Sequence, residues 1–91
     1  MIRSFRHKGL KELFEAGASA KVAPALQSRV MRCLDALADA AESRDMAIPG
    51  LQFHPLRGKA QRYSVHVNGP WCVTFEFRDS DAWHVDLERY H

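Results

Sequence analysis

No window of this sequence approaches the roughly 18 consecutive apolar residues that a membrane-spanning helix needs, so a bilayer anchor is not expected. Cysteine is scarce. Cys33 falls in a helical pattern and Cys72 in a strand pattern, without metal-ligand spacing and without a paired framework. That argues against a zinc module and a disulfide scaffold, and both cysteines are read as reduced, Cys33 as a small buried apolar group. Internal repeats and low-complexity segments are missing, which excludes a solenoid or a disordered tail. Met1 to Arg6 carries charge with no apolar run behind it, so no signal peptide is read there and the cytoplasm is the expected location. No metal and no cofactor is expected.

With 91 residues and a 46% apolar share, the chain reads as one domain spanning 1–91, near the small end of what buries a self-sufficient core. The net charge of +2 is unevenly placed. Residues 1–62 hold eleven Lys/Arg against six Asp/Glu (+5), and residues 63–91 hold two against five (−3). A basic half suits a polyanion such as RNA or an acidic partner protein, although charges that merely solvate a small protein are the commoner case.

Local patterning gives the architecture. Ile2-Arg3-Ser4-Phe5 alternates and predicts a short N-terminal strand. Leu10, Leu13 and Phe14 mark one face of a short helix that Gly17 can cap. Pro24 suits a helix start, and Leu26, Val30, Leu34, Leu37 and Ala41 form an apolar stripe through about Glu42. Ser43 to Gln52, with Pro49-Gly50, reads as a connection.

Three strands follow. In them Tyr63, Val65, Val67, then Val73, Phe75, Phe77, then Trp83, Val85, Leu87 form the apolar face. The opposite positions are polar. Asn68-Gly69 predicts a two-residue hairpin and Arg78 to Asp81 a looser turn. The fold class is therefore α+β: a short N-terminal strand and two helices packed on one face of an antiparallel sheet.

The segment Phe53-His54-Pro55-Leu56-Arg57-Gly58-Lys59-Ala60-Gln61-Arg62-Tyr63 concentrates the chemistry: a histidine and several permanent cations between turn-forming residues. Read alone, it is a solvated basic loop. His66 and His84, with Ser64, Glu76 and Asp86, sit on polar strand positions and are read as surface polars, not as a metal site. His7 is likewise read as a surface residue. Trp71 and Trp83 read as sheet packing, and Tyr63 is left open.

Taken in order, Met1 to Lys11, Phe53 to Gly58, Tyr63-Ser64-Val65, Trp71 to Phe77 and the final Tyr90-His91 resemble the HigB toxins of the RelE superfamily, which belong to type II toxin–antitoxin systems. The resemblance covers nearly the whole chain. It implies a RelE-like ribonuclease fold that enters the ribosomal A site and cleaves mRNA. The implied partners are the ribosome and mRNA, a HigA-type helix-turn-helix antitoxin and, through that antitoxin alone, operator DNA.

It further implies His54, Arg57, Tyr90 and His91 as catalytic residues. Lys59, Arg62 and Arg89 are added here as phosphate-binding candidates on electrostatic grounds. Metal-free RNA cleavage needs a base for the 2′-OH proton, an acid for the leaving 5′-oxygen and cations at the phosphate. His54 and His91 suit the first two roles, Arg57 a two-pronged phosphate contact and Tyr90 a stacked base or a hydrogen bond.

Two departures stand out: Cys72 where these toxins carry an arginine, and Arg89 where an aspartate precedes Tyr-His. If Arg89 replaces the missing cation the two changes compensate; otherwise the chain is a weakened toxin, or an inactive one that keeps antitoxin binding alone. A third reading is an interaction domain with no RNA contact. The basic surface near Arg3, Lys8, Lys11, Arg29 and Arg32 is the expected antitoxin face.

Overall fold

The computed structural model of the chain describes residues 1–58 and 61–89. Helices α1 (Lys8–Ala16) and α2 (Pro24–Asp39) and a short 3-10 turn (Ser43–Met46) precede strands β1 (His54–Leu56), β2 (Arg62–Asn68), β3 (Trp71–Arg78) and β4 (Asp81–Arg89). The strands form one antiparallel sheet in the order β1-β2-β3-β4. The two helices pack on one face of it and leave the other open.

The apolar stripes form the core as their periods predict. Leu10 and Leu13 of α1 and Leu26, Val30, Cys33, Leu34 and Leu37 of α2 bury against Val65, Val73, Phe75, Val85 and Leu87. Burial raises the Cys33 thiol to about 11, so it stays protonated and inert near neutral pH. Gly17 closes α1 in the left-handed conformation, φ 82°. His7, expected as a surface residue, instead caps that helix: its Nδ1 accepts the Leu10 N–H at 3.2 Å. Helix α2 stops at Asp39, short of Glu42, because Ala40 turns extended and the Asp45 carboxylate takes the Ala41 and Glu42 N–H groups.

The N-terminal segment differs from the continuous strand its alternation predicts. It runs parallel to β4 but makes only isolated bridges, Ile2 to Ala82 and Phe5 to Val85. Between them β4 bulges, with His84 at φ 51° and its N–H donated to Ser4 Oγ at 2.8 Å. A ladder cannot run through a position whose donor goes to a side chain.

Asp81 ties the segment down, accepting from Arg3 Nε at 2.9 Å with the terminal ammonium 3.4 Å away. The Arg3 hydrogen bond and then the ammonium hold this carboxyl below its usual range. A carboxyl depressed on folding stabilises above its unfolded pKa, and that contribution is lost as pH falls through the folded value. Acidification below the ordinary carboxylate range is therefore expected to lower the hydrogen-exchange protection factors of the Arg3 and Ala82 amides before that of Phe75. Equal loss of protection at all three would refute a local tether.

Both hairpins also differ in detail. The turn between β2 and β3 is Gly69-Pro70, since Asn68 already pairs with Trp71; Gly69 takes the positive φ of 56° that a primed turn needs. Arg78 to Asp81 is not loose: Asp79 and Ser80 stand at φ 53° and 65°, a tight type I′ geometry between paired Arg78 and Asp81.

Candidate active site

The segment read as a basic loop is partly a strand. His54, Pro55 and Leu56 pair with Ser64, Tyr63 and Arg62. Pro55 is tolerated because β1 is an edge and one of its N–H sides needs no partner. On the helix-bearing face, Phe53, Tyr63 and Phe75 stack with ring centroids 5.4 and 5.8 Å apart, which gives Tyr63 its role as a core-side clamp on β1. Alternation then turns His54 to the open face.

Register defines the open face as rows across the sheet. One row is His54, Ser64, Thr74 and Asp86; the next is Leu56, Arg62, Glu76 and Trp83; a third is His66, Cys72 and Glu88. His54 is exposed, and its Nδ1 lies 2.9 Å from the Gln52 carbonyl. A carbonyl only accepts, so Nδ1 carries a proton and donates it to this carbonyl. Gln52 itself is left-handed, φ 49°, a conformation that aims the carbonyl at the ring.

Glu76 is the electrostatic centre of the face. Arg62 Nη1 donates to its Oε2 at 3.3 Å, both side chains being only 13% exposed. Arg6 Nη2 stands 4.0 Å, Arg78 Nη1 3.8 Å and His84 Nε2 4.0 Å from the same carboxylate. The charge split along the sequence is thus undone in space, with acidic β3 and β4 meeting Arg6 and Arg62 from the basic half. Arg62 also donates through Nη2 to Thr74 Oγ1 at 2.9 Å and to the His84 carbonyl at 3.0 Å. The Thr74 hydroxyl in turn donates to Glu88. Ser64 Oγ, buried beside His54, has no partner among the described residues.

The expected site residues therefore separate. His54 and Arg57 are both exposed along β1 and just after it. Arg62 shares the open face but has its guanidinium committed to partners within the protein. Arg89, expected as a phosphate ligand, points away from Glu88 on β4, and its guanidinium lies over the Trp71 ring, 5.5 Å from the centroid. Cys72 is buried between His66 and Glu88. Lys59, Tyr90 and His91 lie outside the described residues.

Sequence reasoning noted Glu76 and Ser64 only as scattered polars and assigned no role to Arg6 or Arg78. Their signal was the strand alternation itself, which places every second residue of β2 and β3 beside His54. Trp83 was misplaced for another reason. The bulge at His84 shifts the alternation, so Ala82 enters the core and Trp83 pairs with Glu76 on the open face.

A family model described as the RelE-like toxin of the type II toxin–antitoxin system HigB matches residues 3–91. Endoribonuclease HigB of Proteus vulgaris is 38% identical over 92 residues, an alignment covering 100% of each chain.

Proposed function

This chain belongs to the HigB-like toxins, the RelE-like toxins of type II toxin–antitoxin systems, and on that footing we propose that it is an endoribonuclease that cuts mRNA in the ribosomal A site without a metal. The observation that carries the reading is His54: an exposed imidazole on a paired strand, with Nδ1 donating to the Gln52 carbonyl, which leaves Nε2 as the nitrogen available to act as base. In the reaction Nε2 takes the 2′-OH proton, the 2′-oxygen attacks the adjacent phosphorus, and the bond to the 5′-oxygen breaks. His91 returns a proton to that oxygen, leaving a 2′,3′-cyclic phosphate and a free 5′-OH. Arg57 neutralises the phosphate, Lys59 steers the strand and Tyr90 holds a base or a phosphate oxygen. Ribosomal positioning supplies geometry that so sparse a site lacks.

As the toxin of a type II system, the chain has an antitoxin as its partner. The proposal extends this to a HigA-type helix-turn-helix protein seated on the exposed Lys8, Lys11, Arg29 and Arg32, with operator DNA bound only through it. Arg3, named with that surface, is ion-paired with Asp81 at 2.9 Å.

Induction of the chain without antitoxin, with mRNA 5′ ends mapped, should give codon-phased cuts that vanish in His54→Ala and in a chain lacking His91. Cuts that persist in both would overturn the assignment. One observation favours a weakened enzyme: Cys72 puts an uncharged, buried thiol on the open face where the family carries a cation, and Arg89 points elsewhere. A charge-assisted contact at this position contributes about 1.5 to 3 kcal/mol. Cys72→Arg is therefore expected to raise the cleavage rate about tenfold or more, and an unchanged rate would show that position 72 does not limit the reaction.

A further inference from the structure

The β4 bulge has a consequence beyond catalysis. His84 holds a left-handed backbone, φ 51°, which costs a non-glycine residue free energy that surrounding contacts must offset. Here it is held from both sides: Ser4 Oγ accepts its N–H at 2.8 Å and Arg62 donates to its carbonyl at 3.0 Å. What this strain accomplishes is to bring Trp83 onto the open face, opposite Glu76. Bulges beside active sites commonly re-aim a side chain in this way.

Trp83 is then covered by an arginine. The Arg78 guanidinium lies 4.5 Å from the centre of the indole ring, with Glu76 Oε1 3.8 Å from its Nη1. Arg78 is thereby oriented from below by the ring and from the side by the carboxylate, while its side chain remains 53% exposed. A guanidinium seated over an indole ring and about half exposed offers its planar cation as a stacking surface for a nucleobase. The position also fits. Trp83 sits three strand spacings across and one row along from His54, about 16 Å, a span that single-stranded RNA crosses within a few nucleotides.

We propose that Arg78, laid on Trp83 and braced by Glu76, is a nucleotide subsite that stacks one base of the mRNA at the β4 end of the open face, a few nucleotides from the bond cut at His54. The subsite rests on the nuclease reading for its ligand. Stacking accepts any base, so the contribution is to affinity and strand path.

The test uses His54→Ala protein, which should not cut, and a dye-labelled single-stranded oligoribonucleotide followed by fluorescence anisotropy. Arg78→Ala in that background is expected to weaken binding about tenfold, in line with one stacked base at about 1 to 3 kcal/mol. Arg78→Lys keeps the charge and loses the plane, and it should be as weak as Arg78→Ala. Binding restored by lysine would overturn stacking in favour of a phosphate contact, and binding that ignores both variants, or no binding at all, would overturn the subsite.

Trp83→Phe keeps a ring under the guanidinium and should bind more tightly than Trp83→Ala. Equal loss in a Trp83→Phe protein that melts normally would count against the platform. The two hypotheses fail separately: a chain with intact His54 that cuts nothing, while the Arg78 pattern of binding persists, ends the nuclease reading and leaves the subsite standing.

Discussion

Replacing His54 by alanine is expected to lower the rate of RNA cleavage by roughly 10²- to 10⁴-fold, the range for loss of a general base. Stability should barely move. The side chain is exposed and its bond is to a carbonyl that solvent can satisfy, so the change in unfolding free energy should stay within about 0.5 kcal/mol. The discriminating companion is Gln52→Gly, which keeps the carbonyl and tolerates the positive φ. It should retain cleavage close to that of the unmodified chain. Cleavage by His54→Ala within a few-fold of the parent would remove the imidazole from the reaction, whatever the family does.

The second large effect concerns the arginine that the sequence offered as a phosphate ligand. Arg62→Ala should destabilise the fold by about 3 kcal/mol, the lower end for breaking a buried ion pair. It strips Glu76, 13% exposed, of its closest cation and leaves Thr74 and the His84 carbonyl without their donor. Arg62→Met with Glu76→Leu removes both charges of the pair together. Replacing such a pair by apolar groups is often neutral or better, so this double variant should recover most of the loss in a urea titration with an unchanged slope.

It should still fail to recover normal RNA cleavage, because Arg78 loses its brace. If Arg62→Ala unfolds like the parent and only RNA affinity falls, Arg62 is a ligand first and a structural anchor second.

How far residues alone reach is clearest from specific positions. The apolar stripe from Leu26 to Leu37 and the alternation at Val65, Val73 and Phe75 are set by chain geometry, period 3.6 or 2, and can be read without knowing any partner. His54 and Arg57 were singled out through their place in a motif, and both are exposed. The strand that carries His54 was not, because three residues containing a proline have no periodicity to detect, and β1 exists only where Tyr63 and Phe75 stack beneath it. Arg62 gave no hint of its burial, since a lone arginine in a sequence looks the same whether it pairs with solvent or with a glutamate fourteen residues away.

What the sequence by itself determined here is the two helices, the three long strands and their order, most of the core and the family, all properties of local pattern or of ordered motifs. The tertiary structure decided the rest: the register that puts His54, Ser64, Thr74 and Asp86 in one row, the bulge that exchanges Trp83 for Ala82, the turning of Arg89 onto Trp71, and the gathering of Arg6, Arg62 and Arg78 around Glu76. Register and bulges are fixed by which strand lies alongside and by donors as remote as Ser4 is from His84. A one-residue shift moves every later side chain to the other face, and no local pattern carries that information.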